Sequence, residues 1–165
     1  MERRRDDGAV ETAQRVVAAR PVVTLTADGG CALGRAYWLE VARACKGVVR
    51  CRESAAGVQL LLFGVGPPLL CFGPAQVQVE ADVVRCRYPV RGGLLARRPG
   101  GALTLSQAGR ERPELRSEVT GFFPRLASAP GAPAWSGALY RQVQSRAHVA
   151  LSRRFFRRLA TRGPA

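Results

Sequence analysis

The stretch WSGALYRQVQSRAHVALSRRFFRRL, residues 135–159, decides the architecture of this chain. At about 100° per residue, Trp135, Leu139, Tyr140, Val143, Ala147, Ala150 and Leu151 gather on one face. Arg141, Gln144, Ser145, His148 and Ser152 occupy the other. That is the pattern of a long amphipathic helix laid against a sheet. Past Ser152 the face is expected to move, with Arg154 and Arg157 coming under the apolar stripe and Phe155, Phe156 and Leu159 pointing away from it. Two outcomes are open there. Either the helix ends near Ser152 and the tail repacks on its own protein, or it runs on and its tip, an apolar wedge flanked by arginines, meets a membrane surface.

Upstream of that helix the chain reads mostly as short strands. Residues 1–20 begin polar, and Val10, Ala13, Val16 and Val17 at helical spacing predict a short helix stopped by Pro21. Residues 21–26, β-branched and closed by Asp28-Gly29-Gly30, read as a first strand. Tyr37, Leu39, Val41, Ala42 and Cys45 then suit a helix of about two to three turns ending near Gly47. From Val48 onward the period becomes two. Val49, Cys51 and Glu53 alternate with Arg50 and Arg52, and residues 54–57 turn the chain into 58–63, which is apolar on both faces: a hairpin with its second strand central. Short strands follow at 69–72 and 77–80. Val84, Cys86, Tyr88 and Val90 alternate with Arg85, Arg87 and Arg91, so the basic phase faces water. Leu103 and Leu105 mark another strand, and 115–123 sets Val119 and Phe123 against Glu118 and Thr120 before Pro124 ends the run. Residues 128–133 form a Pro/Ala linker. The expected organisation is a polar extension over 1–20, one domain over 21–160 and a tail over 161–165.

Composition narrows the function. The 165 residues carry a formal net charge of +14, which draws a protein toward polyanions. Lys46 is the only lysine among 26 basic residues, however, and so lopsided a use of arginine is what a GC-rich genome produces without selection for binding. Five cysteines without a CxxC pair, and one histidine, His148, argue against a disulfide framework or a zinc site. Residues 64–69 begin like a dinucleotide fingerprint but place two prolines where a helix must start. With no G-x-S-x-G elbow and no H-E-x-x-H, triad and metal-hydrolase chemistry is not expected, and acid–base work would fall to Tyr88 or Glu118. No cofactor or metal is expected. No apolar leader follows the charged first residues, and no apolar run approaches the roughly 20 residues of a membrane helix, so a soluble cytoplasmic protein is expected.

The order of helix, strand, helix, antiparallel meander and long C-terminal helix resembles the helix-grip arrangement of the START and birch-pollen-allergen superfamily, also called the polyketide cyclase and lipid-transport superfamily. The resemblance covers residues 21–160 and departs in showing one helix, not two, between the first two strands. It implies an α+β fold in which an antiparallel sheet of about six to seven strands curls around the C-terminal helix. An apolar cavity would lie between them. Strand and helix phase then put Leu60, Leu62, Val84, Cys86, Tyr88, Leu103, Leu105, Val119 and Phe123 on the sheet side of that cavity and Leu139, Val143 and Ala147 on the helix side. The function implied is binding or carriage of an apolar small molecule, lipid or polyketide-like. Arg153, Arg154, Phe155, Phe156, Arg157 and Arg158 are the candidate contact with an anionic membrane. The alternative is a nucleic-acid module whose face is Arg50, Arg52, Arg85, Arg87 and Arg91, although no aromatic residue accompanies them for base stacking.

Overall fold

The computed structural model describes residues 9–124, 151–152 and 154–159, together with the backbone of 2–4. In chain order these form β1 (Glu2–Arg4), β2 (Val10–Val17), α1 (Ala27–Ala44), β3 (Val49–Ser54), β4 (Gly57–Leu62), β5 (Leu70–Phe72), β6 (Gln76–Glu80), β7 (Val83–Gly92), β8 (Ala102–Ala108) and β9 (Glu114–Phe122). One nine-stranded sheet results, ordered β1-β2-β9-β8-β7-β5-β4-β3, with β6 paired to β7. The meander from β3 to β9 therefore returns to β2, where Val10 lies opposite Phe122 and Val17 opposite Glu114.

That closing pair corrects the first expectation. Residues 10–17 are a strand, not a helix, because β9 supplies a ladder along nearly their whole length. A partner strand outweighs four apolar residues at helical spacing, since intrinsic propensity is a weak preference beside tertiary pairing. The second correction follows directly. Residues 21–26 form a loop, although they are β-branched. Their backbone is claimed by one side chain: Gln107, fully buried on β8, accepts from Val22 N at 2.9 Å and Val23 N at 3.1 Å, and its amide donates to Val23 O at 2.8 Å. Gln107 thus stands in for a strand partner and leaves none of these buried groups orphaned.

The helix α1 is longer than expected. Thr26 caps it, its hydroxyl accepting from Gly29 N at 3.2 Å, and Asp28 sits in the first turn, where the helix dipole favours an anion. The segment 28–30 that resembled a turn is its first turn. Those glycines and Gly34 serve close approach. A Cβ at Gly30 would come within 2.5 Å of Val77, and one at Gly34 within 2.2 Å of the Tyr88 hydroxyl. The helix backbone accordingly lies directly on β6 and β7.

The β3–β4 hairpin, β5 and β6 follow the sequence expectation, and β4 is an interior strand between β3 and β5. On β7, Val84, Cys86, Tyr88 and Val90 are buried and Arg87 and Arg91 exposed. Pro89 fits within this long strand because the edge of β7 facing β5 and β6 is interrupted there: β6 pairs with 83–87 and β5 with 90–92. Strand β9 departs at its end. Gly121 has φ +61, which shifts the phase so that Phe122, 3% exposed, enters the core. Phe123 lies instead beneath the Arg98 guanidinium, 3.8 Å from its carbon to the ring centroid.

Of the C-terminal helix, 151–152 and 154–159 are helical. Phe155, Phe156 and Leu159 are 2%, 5% and 3% exposed and belong to the main core. They do not point away. A step of four residues advances an α-helix by about 40° past a full turn, so Leu151, Phe155 and Leu159 continue one slowly drifting stripe. The electrostatics agree with this placement. Glu40 on α1, 2% exposed, receives Arg154 Nε at 2.7 Å and Arg158 Nε at 3.2 Å. Paired phenylalanines and paired arginines thus clamp the last helical turns onto α1.

Candidate functional site

The inner face of the sheet is built in rows fixed by register. One row runs Val16, Leu115, Gln107, Val84 and Val79 across β2, β9, β8, β7 and β6. The next runs Gln14, Ser117, Leu105, Cys86 and Val77. A third holds Thr12, Val119, Leu103 and Tyr88. Directly opposed residues share a face, so these rows form one wall. Of the residues predicted to line a cavity, Val84, Tyr88, Leu103 and Leu105 are buried together in the main core. Leu60 and Val119 lie partly buried at its margin. Leu62 is 44% exposed at the end of its hairpin, and Phe123 is displaced as described. Leu139, Val143 and Ala147 lie outside the described residues, as do His148 and Arg153.

A layer of rings covers one end of the wall. Trp38 meets Tyr88 edge-on at 5.2 Å and Phe72 at 5.0 Å, while Tyr37 meets Trp38 and Phe155 edge-on, each at 5.3 Å. Burial holds the Tyr88 phenol well above its usual range, and the neighbouring Cys86 thiol adds to the shift. At ordinary pH the phenol keeps its proton. It is a hydrogen-bond donor, not a base. Burial likewise pushes the Cys86 thiol up to about 11 and Cys51 to about 12, so neither is a ready thiolate. The Cys51 thiol instead points at Trp38 O, 3.6 Å away.

Sequence reasoning missed the polar atoms set into this apolar wall. Thr12 Oγ1 on β2, Ser117 Oγ on β9 and Ser152 Oγ on the C-terminal helix are buried and find no hydrogen-bond partner among the described residues. Thr12 and Ser117 are diagonal neighbours, since Thr12 opposes Val119 and Gln14 opposes Ser117. Trp38 Nε1 is also buried without a well-angled acceptor, though it lies close enough to Tyr88 to oppose part of the rise in the phenol's pKa. The phase of Ser117 within β9 was the available signal. It alternates with Leu115 on the core side.

A separate open groove of about 810 Å³ lies between the 21–25 loop and the first turns of α1, lined among others by Asp28, Arg35, Gln107 and Arg110. None of the predicted cavity residues among the described ones borders it. The arginines proposed as a nucleic-acid face are spread over the sheet and in part engaged. Arg85 is ion-paired with Glu80, Arg87 donates to Gln76 at 2.8 Å, and β5 and β4 separate β7 from Arg50 and Arg52 on β3. On the same sheet, Arg116 is bracketed by Glu114 and Glu118 at 3.0 and 3.2 Å. Phe155 and Phe156, predicted to contact a membrane, are in the core, and two of the arginines beside them are committed to Glu40.

A strand, a helix, an antiparallel meander returning to that strand, and a closing helical segment packed on the first helix make this an α+β fold of the helix-grip kind. No family model matches the chain. No curated protein matches it either. Solved structures with loose overall likeness include DynU16, a protein of the dynemicin biosynthetic locus, at 18% identity over 93% of this chain and 48% of that one, with a TM-score of 0.38. The Zhui aromatase/cyclase from Streptomyces sp. R1128 is 15% identical over 94% of this chain and 98% of its own, with a TM-score of 0.43. Ara h 8.0201 is 10% identical over 86% and 93%, with a TM-score of 0.41. The chain spans about half the length of DynU16.

Proposed function

We propose that this protein binds an apolar small molecule, lipid or polyketide-like and carrying one or two oxygen functions, between the inner wall of the sheet and the C-terminal helix. The observation that supports this reading is the set of buried hydroxyls, Thr12 Oγ1, Ser117 Oγ and Ser152 Oγ, unpartnered among the described residues in an apolar interior. A buried hydroxyl without a partner costs roughly 1–3 kcal/mol, and folded proteins satisfy almost all such groups. A ligand that is apolar in bulk and polar at a few atoms matches both parts of that wall. Tyr88, held protonated, adds a donor next to Trp38.

Native mass spectrometry of the purified protein, followed by displacement of a fluorescent apolar probe, tests the proposal. Thr12→Val and Ser117→Ala are near-isosteric and remove only the hydroxyls. Probe or ligand affinity should fall about three- to tenfold per site, with thermal stability equal to or slightly above that of the parent protein. Stability gained with affinity unchanged would mean that the hydroxyls belong to an ordinary packed core.

A further inference from the structure

Three turns meet at one end of the sheet. The α1–β3 turn, the loop joining β4 to β5 and the loop joining β7 to β8 are tied by backbone hydrogen bonds: Phe63 N to Val48 O at 2.8 Å, Leu94 N to Pro68 O and Leu95 N to Leu69 O, both at 3.0 Å. The result is a braced rim. What it presents is unusual for a water-facing edge. Phe63 is 60% exposed, Val65 70%, Val48 46% and Leu94 45%. Phe63 also takes φ +50, a conformation that L side chains seldom adopt and that costs on the order of 1 kcal/mol. It is held in that conformation with its phenyl ring in solvent.

The charges around the rim are of one sign. Arg50 runs alongside Gly64, its Cδ within 2.9 Å of where a Cβ would sit, and Arg52 donates to Gly64 O at 3.3 Å. Lys46 lies in the adjoining turn. The sequence holds no Asp or Glu from Ala42 to Arg52, from Ser54 to Val79 or from Val83 to Arg110. Elsewhere on the sheet arginines have carboxylates beside them, as Arg85 and Arg116 do. Here, among the described residues, they have none.

We propose that this rim docks onto the anionic surface of a lipid bilayer, with Phe63 and Val65 entering the headgroup layer, Val48 and Leu94 beside them, and Arg50 and Arg52 pairing with lipid phosphates. Exposed apolar side chains standing out on loops, among cations that lack acids, suit an interface that is apolar below and anionic above. A nucleic acid would use the charges but not the valines and leucine. No helix among the described residues is long and apolar enough to cross a membrane, so the contact is peripheral.

The test is co-sedimentation of the full chain with vesicles of phosphatidylcholine alone and of an equal mixture with phosphatidylglycerol. The parent protein should pellet with the mixed vesicles, stay in solution with the neutral ones and be released by salt. Phe63→Asn with Val65→Ser should weaken binding on the order of tenfold at an unchanged melting temperature, since Asn tolerates positive φ. Arg50→Gln with Arg52→Gln leaves Phe63 and Val65 in place, gives up the Arg52 bond to Gly64 O, and decides the matter if the first variant fails to fold. Each arginine lost should cost about fivefold. The proposal is overturned if the parent ignores anionic vesicles, if both folded variants bind as well as the parent, or if the rim proves to hold two copies together, seen as a dimer in light scattering that Phe63→Asn dissolves.

Discussion

The two halves of α1 meet the rest of the protein in opposite ways. Its N-terminal half lays bare backbone on the side chains of the sheet at two points: at Gly30 and Gly34 even a methyl group would collide with Val77 or Tyr88. Its C-terminal half carries Tyr37, Trp38 and Glu40, so that rings and an ion pair separate the helix from Tyr88, Phe72 and the C-terminal turns. One half fixes position by backbone contact. The other sets a spacing through the size of its side chains, and that second region is where the interior can be reshaped without moving the helix.

The sharpest way to break this contrast is to add volume to the close half. Gly34→Leu should abolish folding. Gly34→Ala should cost about 1–3 kcal/mol of stability as Tyr88 is forced from its place, read as a lower melting temperature. A Gly34→Ala protein that melts like the parent would show the contact to be looser than described. The spaced half should respond asymmetrically. Arg154→Ala with Arg158→Ala leaves the Glu40 carboxylate buried without a cation, and should cost about 2 kcal/mol. That is below the value for a fully buried pair, because the two arginines are 49% and 40% exposed. Glu40→Leu strands only groups that water can reach, and should cost less than about 1 kcal/mol. Equal losses in urea titrations of the two variants would contradict the clamp.

A smaller effect is expected with alkali. Burial raises the folded-state pKa of Cys51 to about 12 and of Cys86 to about 11, and also lifts Tyr37 and Tyr88. Each group binds its proton more tightly when folded. Its stabilising contribution is complete below the unfolded pKa, near 9 for the thiols, and is lost as pH rises through the folded value. Unfolding free energy should therefore fall between pH 9 and 12, by up to about 1.4 kcal/mol per pH unit for each titrating group, read as a falling melting temperature. Cys86→Ala should flatten the part of that slope below about pH 11. A flat profile would show the ring layer to be open to water.

What the sequence disclosed was local. The β3–β4 hairpin and β7 were legible because strict alternation and a four-residue turn carry their own instructions. The strand at 10–17 and the loop at 21–26 were not, since each is decided by a distant partner, β9 in one case and the Gln107 amide in the other. Thr26 followed two residues later by Asp28 is a helix start, but Gly29 and Gly30 mimicked a turn; only their closeness to Thr24 and Val77 explains them. Phe123 was misplaced by the single positive φ at Gly121. The burial of Val84, Tyr88, Leu103 and Leu105 on one wall followed from phase alone. Thr12 lay in a segment read as helix and Ser117 was passed over as polar, so the hydroxyls went unseen.

The pairing of β2 with β9 also bears on how this chain is made. β2 is made long before the strand it pairs with in β9, since Val10 must wait for Phe122. Contacts so distant along the chain slow folding, because loop-closure entropy is spent before the ladder returns any energy. Until then the side of β2 that faces β9 is an unpaired edge, the kind of segment on which aggregation begins.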